Sequence, residues 1–351
     1  MRDHITLKVK KVEQETSDTV TIHFKQPLFK KVKYKSGQFL TLNLEINGEK
    51  VSRSYSMSSA PSLDPTVAVT VKRVDGGLAS NFLNDKIKAG DSIKMLPPMG
   101  HFVFEPNKQA KRHIVLFGAG SGITPLMSIL KSALNGEPES TVSLIYGNRK
   151  QDAIIFKKNL DALKEKFGNK LNIINVLSQP ENGWSGYKGR IDRTITLNAL
   201  NLLPKLDPEA TEYYMCGPEG MMEEVEEGLK KLKVPKNKIH KESFTSSNES
   251  EEELEKLGNL EVREVTVIIN EEPHKFEVKP DQSILDAGLD DGLDMPFSCQ
   301  SGLCTACRCR KLEGEVKMTE SDGLSESEIE EGYILACVGH PTSDGVVIRV
   351  E

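Results

Sequence analysis

The stretch Cys299-Gln300-Ser301-Gly302-Leu303-Cys304-Thr305-Ala306-Cys307, answered after a long gap by Cys337, sets how the whole chain is understood. Its C-x4-C-x2-C…C spacing is that of the thiolate ligands around a plant-type [2Fe–2S] cluster. Three closely spaced ligands let one loop wrap a small rhomb of iron and sulfur, and a distant fourth closes it. Gly302 suits such a wrap, because a tight turn of backbone favours a residue without Cβ. Two plainer readings stand beside this one, a zinc site and ordinary buried thiols. Structural zinc usually shows paired C-x2-C knuckles or a mixed Cys/His set, and the spacing here is asymmetric. The expected ligands are Cys299, Cys304, Cys307 and Cys337, with Cys309 a spare thiol close by.

Beyond that loop, the remaining composition describes a multidomain protein. A chain of 351 residues has length for two to three domains. Five of its six cysteines crowd into residues 299–337, so they form no distributed disulfide framework, and Cys216 stands alone upstream. That usage predicts a reducing cytoplasm. The N-terminus leads into strand-like sequence with no apolar signal segment, and no run reaches the roughly 18 apolar residues of a membrane span. Charge is unevenly spread. Residues 261–351 hold 20 Asp and Glu against 8 Lys and Arg, whereas residues 1–244 hold 27 against 37. An acidic C-terminal part therefore follows a basic body, a distribution that either steers a partner or only keeps each part soluble. Basic residues are not clustered in aromatic-laced tracts, so no nucleic-acid partner is expected.

The pattern of elements changes twice along the chain. Residues 1–106 carry short β-rich runs, such as Thr19–Phe24, Phe39–Leu42 and Val67–Val71, between Gly, Pro and Asp turns, which predicts an antiparallel Greek-key β-barrel. Residues 107–244 alternate strand and helix, beginning with the apolar strand Ile114–Phe117 and the helix Pro125–Leu134 and including a helix over Ala153–Phe167, the pattern of a parallel α/β domain. Residues 245–260 read as an acidic linker with almost nothing to bury. Strands at Val262–Ile269, Lys275–Val278 and Val346–Val350, with a helix near Ser283–Asp291, predict a β-grasp ferredoxin domain over 261–351.

Three groups of residues carry chemistry. Arg53-Ser54-Tyr55-Ser56 combines a phosphate-pairing guanidinium, an aromatic ring and hydroxyls, a set able to hold a flavin; Val71 and Lys72 follow, then Gly77, Leu78, Ala79 and Ser80 at a helix start. A helix N-terminus preceded by small residues offers free N–H groups to a pyrophosphate. Gly118-Ala119-Gly120-Ser121-Gly122-Ile123-Thr124-Pro125 passes from an apolar strand into a helix, which suits dinucleotide phosphates, although it is not the usual G-x-G-x-x-G fingerprint. Arg149, after a second strand, suits a 2′-phosphate and favours NADPH over NADH. Cys216, Gly217 and Pro218 end a third strand at the edge where a parallel sheet binds ligands.

In this order the three groups resemble the ferredoxin–NADP reductase superfamily, and the trailing cysteines resemble a C-terminal plant-type ferredoxin fused to it. The layout is most similar to reductases of the ring-1,2-phenylacetyl-CoA epoxidase and 3-ketosteroid 9α-hydroxylase type. That resemblance implies FAD held by Arg53, Tyr55, Ser56, Lys72, Gly77 and Ser80, a nicotinamide cofactor on Gly118 to Thr124, and a [2Fe–2S] cluster. It places Cys216-Gly217-Pro218 near the reacting nicotinamide, and His240 to Phe244 against the flavin ring, so that Ser56, Cys216 and Glu242 are the expected catalytic residues and Phe244 a further flavin contact. A nicotinamide gives up two electrons as a hydride, a cluster takes one at a time, and a flavin does both. The implied activity is electron transfer from NAD(P)H to an oxygenase or hydroxylase partner. Two rivals are an oxidoreductase acting on a small acceptor such as a quinone or free flavin, and a non-catalytic redox sensor.

Overall fold

The computed structural model describes residues 4–27, 31–204, 207–244, 254, 257–258, 260–297, 299–300, 302, 305–321 and 323–350. The chain divides into two units, Met1–Gly48 with Tyr55–Phe244 and Glu49–Ser54 with Thr245–Glu351. Most of the expected linker, 245–260, lies outside the described residues.

The N-terminal part of the chain forms an antiparallel sheet of strands β1 (Ile5–Thr16), β2 (Thr19–Lys25), β3 (Phe39–Ile46), β4 (Glu49–Ser56), β5 (Thr66–Lys72) and β6 (Ser92–Met95) in the order β4-β3-β6-β1-β2-β5. Strand alternation explains its core. In β2, Val20, Ile22 and Phe24 are buried on one face while Thr21 and His23 take the other. A bridge between Met57 and Val69 joins the two ends of the order and closes the sheet into a barrel. Helix α1 (Leu78–Asp85) follows β5.

The rest of the first unit is a parallel sheet in the order β10-β9-β8-β7-β11-β12, formed by β7 (His113–Ala119), β8 (Thr141–Asn148), β9 (Leu171–Leu177), β10 (Tyr187–Lys188), β11 (Thr211–Cys216) and β12 (Ile239–Glu242). Helices cover both faces, so its central strand β7 is apolar at every position from Ile114 to Phe117. Ile114 and Leu116 pack with α2 (Ile123–Gly136) and α3 (Lys157–Phe167), whereas Val115 and Phe117 pack with α4 (Arg193–Leu202) and α5 (Glu219–Lys231). The helix expected over Ala153–Phe167 is shorter than its pattern predicts. Gln151–Ala153 form a single 3₁₀ turn, and Phe156 sits at φ 61°, a left-handed conformation that breaks the run before α3.

Helix α2 is almost wholly buried yet carries hydroxyls and a lysine on one side. Ser128 donates to the Ser59 carbonyl at 2.6 Å, Ser132 shares a hydrogen bond with Ser36 at 2.6 Å, and Lys131 pairs with Asp64. These positions recur at helical spacing, so a single stripe fastens α2 to the barrel.

The second unit contains a five-stranded sheet in the order β14-β13-β19-β15-β17 and helix α6 (Ile284–Asp290). Strands β13 (Arg263–Ile269) and β14 (Glu272–Val278) form an antiparallel hairpin, and β19 (Val346–Val350) runs parallel to β13. Strand β15 (Arg308–Glu313) lies between β19 and β17 (Tyr333–Leu335), helix α7 (Glu326–Glu330) precedes β17, and β16 (Val316–Met318) pairs antiparallel with β18 (Gly339–Pro341) in a separate two-stranded sheet. This is the β-grasp arrangement, with Val265, Val267, Ile284, Leu285, Leu335 and Ile348 in its core. Among the described residues no helix is long and apolar enough to cross a membrane.

Candidate active site at the sheet edge

Strand register sets a row of side chains across the C-terminal edge of the parallel sheet. Tyr146 of β8 is paired with Gly118 of β7, Gly118 with Cys216 of β11, and Cys216 with Glu242 of β12. Ser56, at the end of β4, donates its hydroxyl hydrogen to Glu242 Oε2 at 3.2 Å. The barrel and the sheet thus bring together three residues that are far apart in sequence, Ser56, Cys216 and Glu242.

Their environment is apolar. Cys216 is fully buried, and burial together with the neighbouring Glu242 pushes its thiol pKa up, leaving it neutral. Glu242 is half-buried as a residue, but its carboxyl is enclosed, and desolvation raises its pKa to about 8 against the opposing hydrogen bond from Ser56.

The loop between β7 and α2 passes over this row in a confined space. A Cβ on Gly122 would stand 2.0 Å from the Cys216 carbonyl oxygen, and one on Gly118 would stand 2.8 Å from the Leu126 side chain. Gly120 has φ 53°, and the Thr124 hydroxyl donates to the Ser121 carbonyl at 3.0 Å. Gly217 lies against Ala119 and Met221, and Pro218 precedes α5. Neither α1 nor α2 has a side-chain N-cap, whereas α4, α6 and α7 are capped by Asp192, Ser283 and Ser325. The starts of α3 and α5 are likewise without a side-chain cap, so an uncapped start permits a phosphate at α1 and α2 without singling them out.

The other expected contacts are distributed as follows. Val71 is buried in β5, and Lys72 forms a 3.7 Å ion pair with Asp18 while its Nζ stands beside Gly120. Gly77 caps α1 where a Cβ would meet Ser80 Oγ at 2.7 Å; Ala79 and Ser80 are buried and Leu78 is exposed. Ser54 and Tyr55 are half-buried on β4. In the second unit, the Arg53 guanidinium stands 4.0 Å from the Phe297 ring centre and donates to the Ser52 carbonyl. Arg149 is exposed just beyond β8, its carbonyl accepting from Gln179 N–H, and Phe244 is exposed beyond β12. Sequence reasoning missed Tyr146 and the α2 stripe. The only signals were a hydroxyl inside an apolar strand and polar residues recurring in a buried helix.

In the second unit, the Cys337 thiol lies within hydrogen-bonding reach of those of Cys299 and Cys307. Cys304 lies outside the described residues. No three His, Cys, Asp or Glu among the described residues close on a single ion; a two-iron rhomb instead takes its thiolates as two pairs. Gly302 has φ 70°, and a Cβ there would meet Glu320 at 2.8 Å, so the loop needs its glycine. Cys309 faces the core and donates to the Cys307 carbonyl at 3.5 Å.

Comparison with known proteins defines the class. The chain matches the oxidoreductase FAD-binding domain over residues 6–104, the oxidoreductase NAD-binding domain over 116–227 and the 2Fe-2S iron-sulfur cluster binding domain over 267–342. It belongs to the family of reductase components of oxygenase systems, oxidoreductases that join FAD, NAD(P)H and a [2Fe–2S] cluster in one chain. It is 35% identical to one of the subunits of the 1,2-phenylacetyl-CoA epoxidase of Escherichia coli (strain K12), over 98% of this chain and 96% of that protein. It is 36% identical to the 3-ketosteroid-9-alpha-monooxygenase ferredoxin reductase component of Rhodococcus rhodochrous, again over 98% and 96%. Phthalate dioxygenase reductase shares the fold at a TM-score of 0.61 and 24% identity, covering 99% of this chain and 98% of that one.

Proposed function

We propose that this protein supplies electrons from NADPH, with NADH as the weaker donor, to a cytoplasmic oxygenase of the phenylacetyl-CoA epoxidase type. The observation that carries the reading is the meeting of Ser56, Cys216 and Glu242 at the sheet edge, in a chain that also bears the cysteine loop. FAD, when bound, supplies the exchange between two-electron and one-electron chemistry.

The protein's own residues orient and exclude water. The α1 start, with Gly77 and Ser80, offers N–H groups to the FAD pyrophosphate, and Tyr55 offers a ring beside it. Gly118 to Thr124 admit the nicotinamide nucleotide, and the Lys72 Nζ stands beside Gly120 of that loop. Cys216 presents a small neutral surface to the nicotinamide. Glu242 holds a proton on its carboxyl at neutral pH, within reach of the Ser56 hydroxyl. Arg149 favours the 2′-phosphate of NADPH. Cys299, Cys304, Cys307 and Cys337 hold the cluster, and the crowding of five of the six cysteines into residues 299–337 suits a reducing compartment.

Cys337→Ser tests this order of transfer. We expect NADPH-dependent reduction of cytochrome c, a one-electron protein acceptor, to fall by at least about tenfold while ferricyanide reduction from the flavin continues. Retention of both activities would favour the small-acceptor enzyme. The acceptor class is tested with the oxygenase components of a phenylacetyl-CoA epoxidase, NADPH and this protein in place of their own reductase; no epoxide would refute that assignment.

A further inference from the structure

We propose that Tyr146 is a positioning residue for the pyridine nucleotide, acting through the peptide that joins Gly120 to Ser121. The inference rests on the reading that the Gly118–Thr124 loop receives NAD(P)H.

Tyr146 is fully buried, yet its hydroxyl has a definite task, donating to the Gly120 carbonyl at 2.9 Å. The same carbonyl also accepts from the Ile123 N–H. A carbonyl has two lone pairs, and both are engaged.

The consequence follows from peptide geometry. In a planar trans peptide the C=O of one residue and the N–H of the next point in opposite directions. Holding the Gly120 oxygen down on Tyr146 therefore turns the Ser121 N–H up, away from the sheet and toward the ligand edge. Gly120 at φ 53° is the residue that permits this turn. Tyr146 stands in the same strand row as Gly118, Cys216 and Glu242, so the group that aims the loop is set on the rigid sheet that carries the reacting edge. A tyrosine present only for packing would be replaceable by phenylalanine without effect on nucleotide binding.

Tyr146→Phe removes the hydroxyl and retains the ring. For the holoprotein we expect the Kd for NADP+, measured by isothermal titration calorimetry, to rise about five- to tenfold, the effect of losing one orienting hydrogen bond. The half-saturating NADPH concentration for flavin reduction should rise in parallel, while the limiting reduction rate stays within about twofold and the thermal midpoint of the nucleotide-free protein is little changed. An unchanged Kd would overturn the proposal, as would a fall in limiting rate and thermal midpoint with no change in Kd. Failure of the underlying reading is separable, because the wild-type protein would then show no saturable binding or reduction by either nucleotide.

Discussion

Glu242 links protonation to stability as well as to the site. Its folded-state pKa of about 8 lies above the usual carboxylate range because its carboxyl is desolvated. As pH rises from that range toward 8, the unfolded chain releases a proton that the folded chain retains. Stability contributed by this group is complete at low pH and is lost as pH passes through the folded pKa. Glu242→Gln, which imitates the protonated form, should reduce the fall in thermal midpoint between about pH 5 and about pH 8. It should also remove any inflection near 8 from the flavin reduction rate. Identical pH dependence in variant and wild type would contradict the assignment. Charged residues at the opposite end of the same strands are structural. Arg112 makes a two-point ion pair with the fully buried Glu137 and a third contact with Glu212, whose pKa is lowered to about 2 with His240 as the leading cause. That network joins β7 and β11 to the end of α2.

The loop from β7 into α2, which we propose receives the nucleotide, tolerates little change. Gly122→Ala would place a methyl group 2.0 Å from the Cys216 carbonyl oxygen, so the loop or β11 must shift. Flavin and cluster absorbance should survive, while flavin reduction by NADPH falls by about 100-fold, the scale expected when reacting groups move by about an ångström. A variant that reduces its flavin at the wild-type rate would show that the loop lies away from the nucleotide. Much of this element is legible in the sequence. Ile114–Phe117 is apolar at every position because helices cover both faces, and the glycines after it mark the turn. The cysteine spacing is equally plain, since ligand geometry constrains it directly. Less is legible where distant segments meet. The Ser56–Glu242 contact spans 186 positions, and the stripe on α2 makes sense only once the barrel stands against it. The left-handed Phe156 carries no glycine or proline to announce it, so its segment reads as unbroken helix.

For the whole molecule, the governing quantity is electron number. One unit carries a flavin-binding barrel and a nucleotide-binding sheet, and the other carries the thiolates. The acidic balance of residues 261–351 falls on the part that would face an acceptor, a distribution that suits a basic partner surface. Anaerobic stopped-flow mixing with NADPH, and separately with NADH, follows this wiring when flavin and cluster bands are recorded together. Flavin absorbance should bleach first, cluster absorbance should then fall at a rate independent of nucleotide concentration, and NADPH should act at lower concentration than NADH. A cluster band that remains oxidised after the flavin is fully reduced, or zinc in place of iron in the same sample, would contradict that scheme.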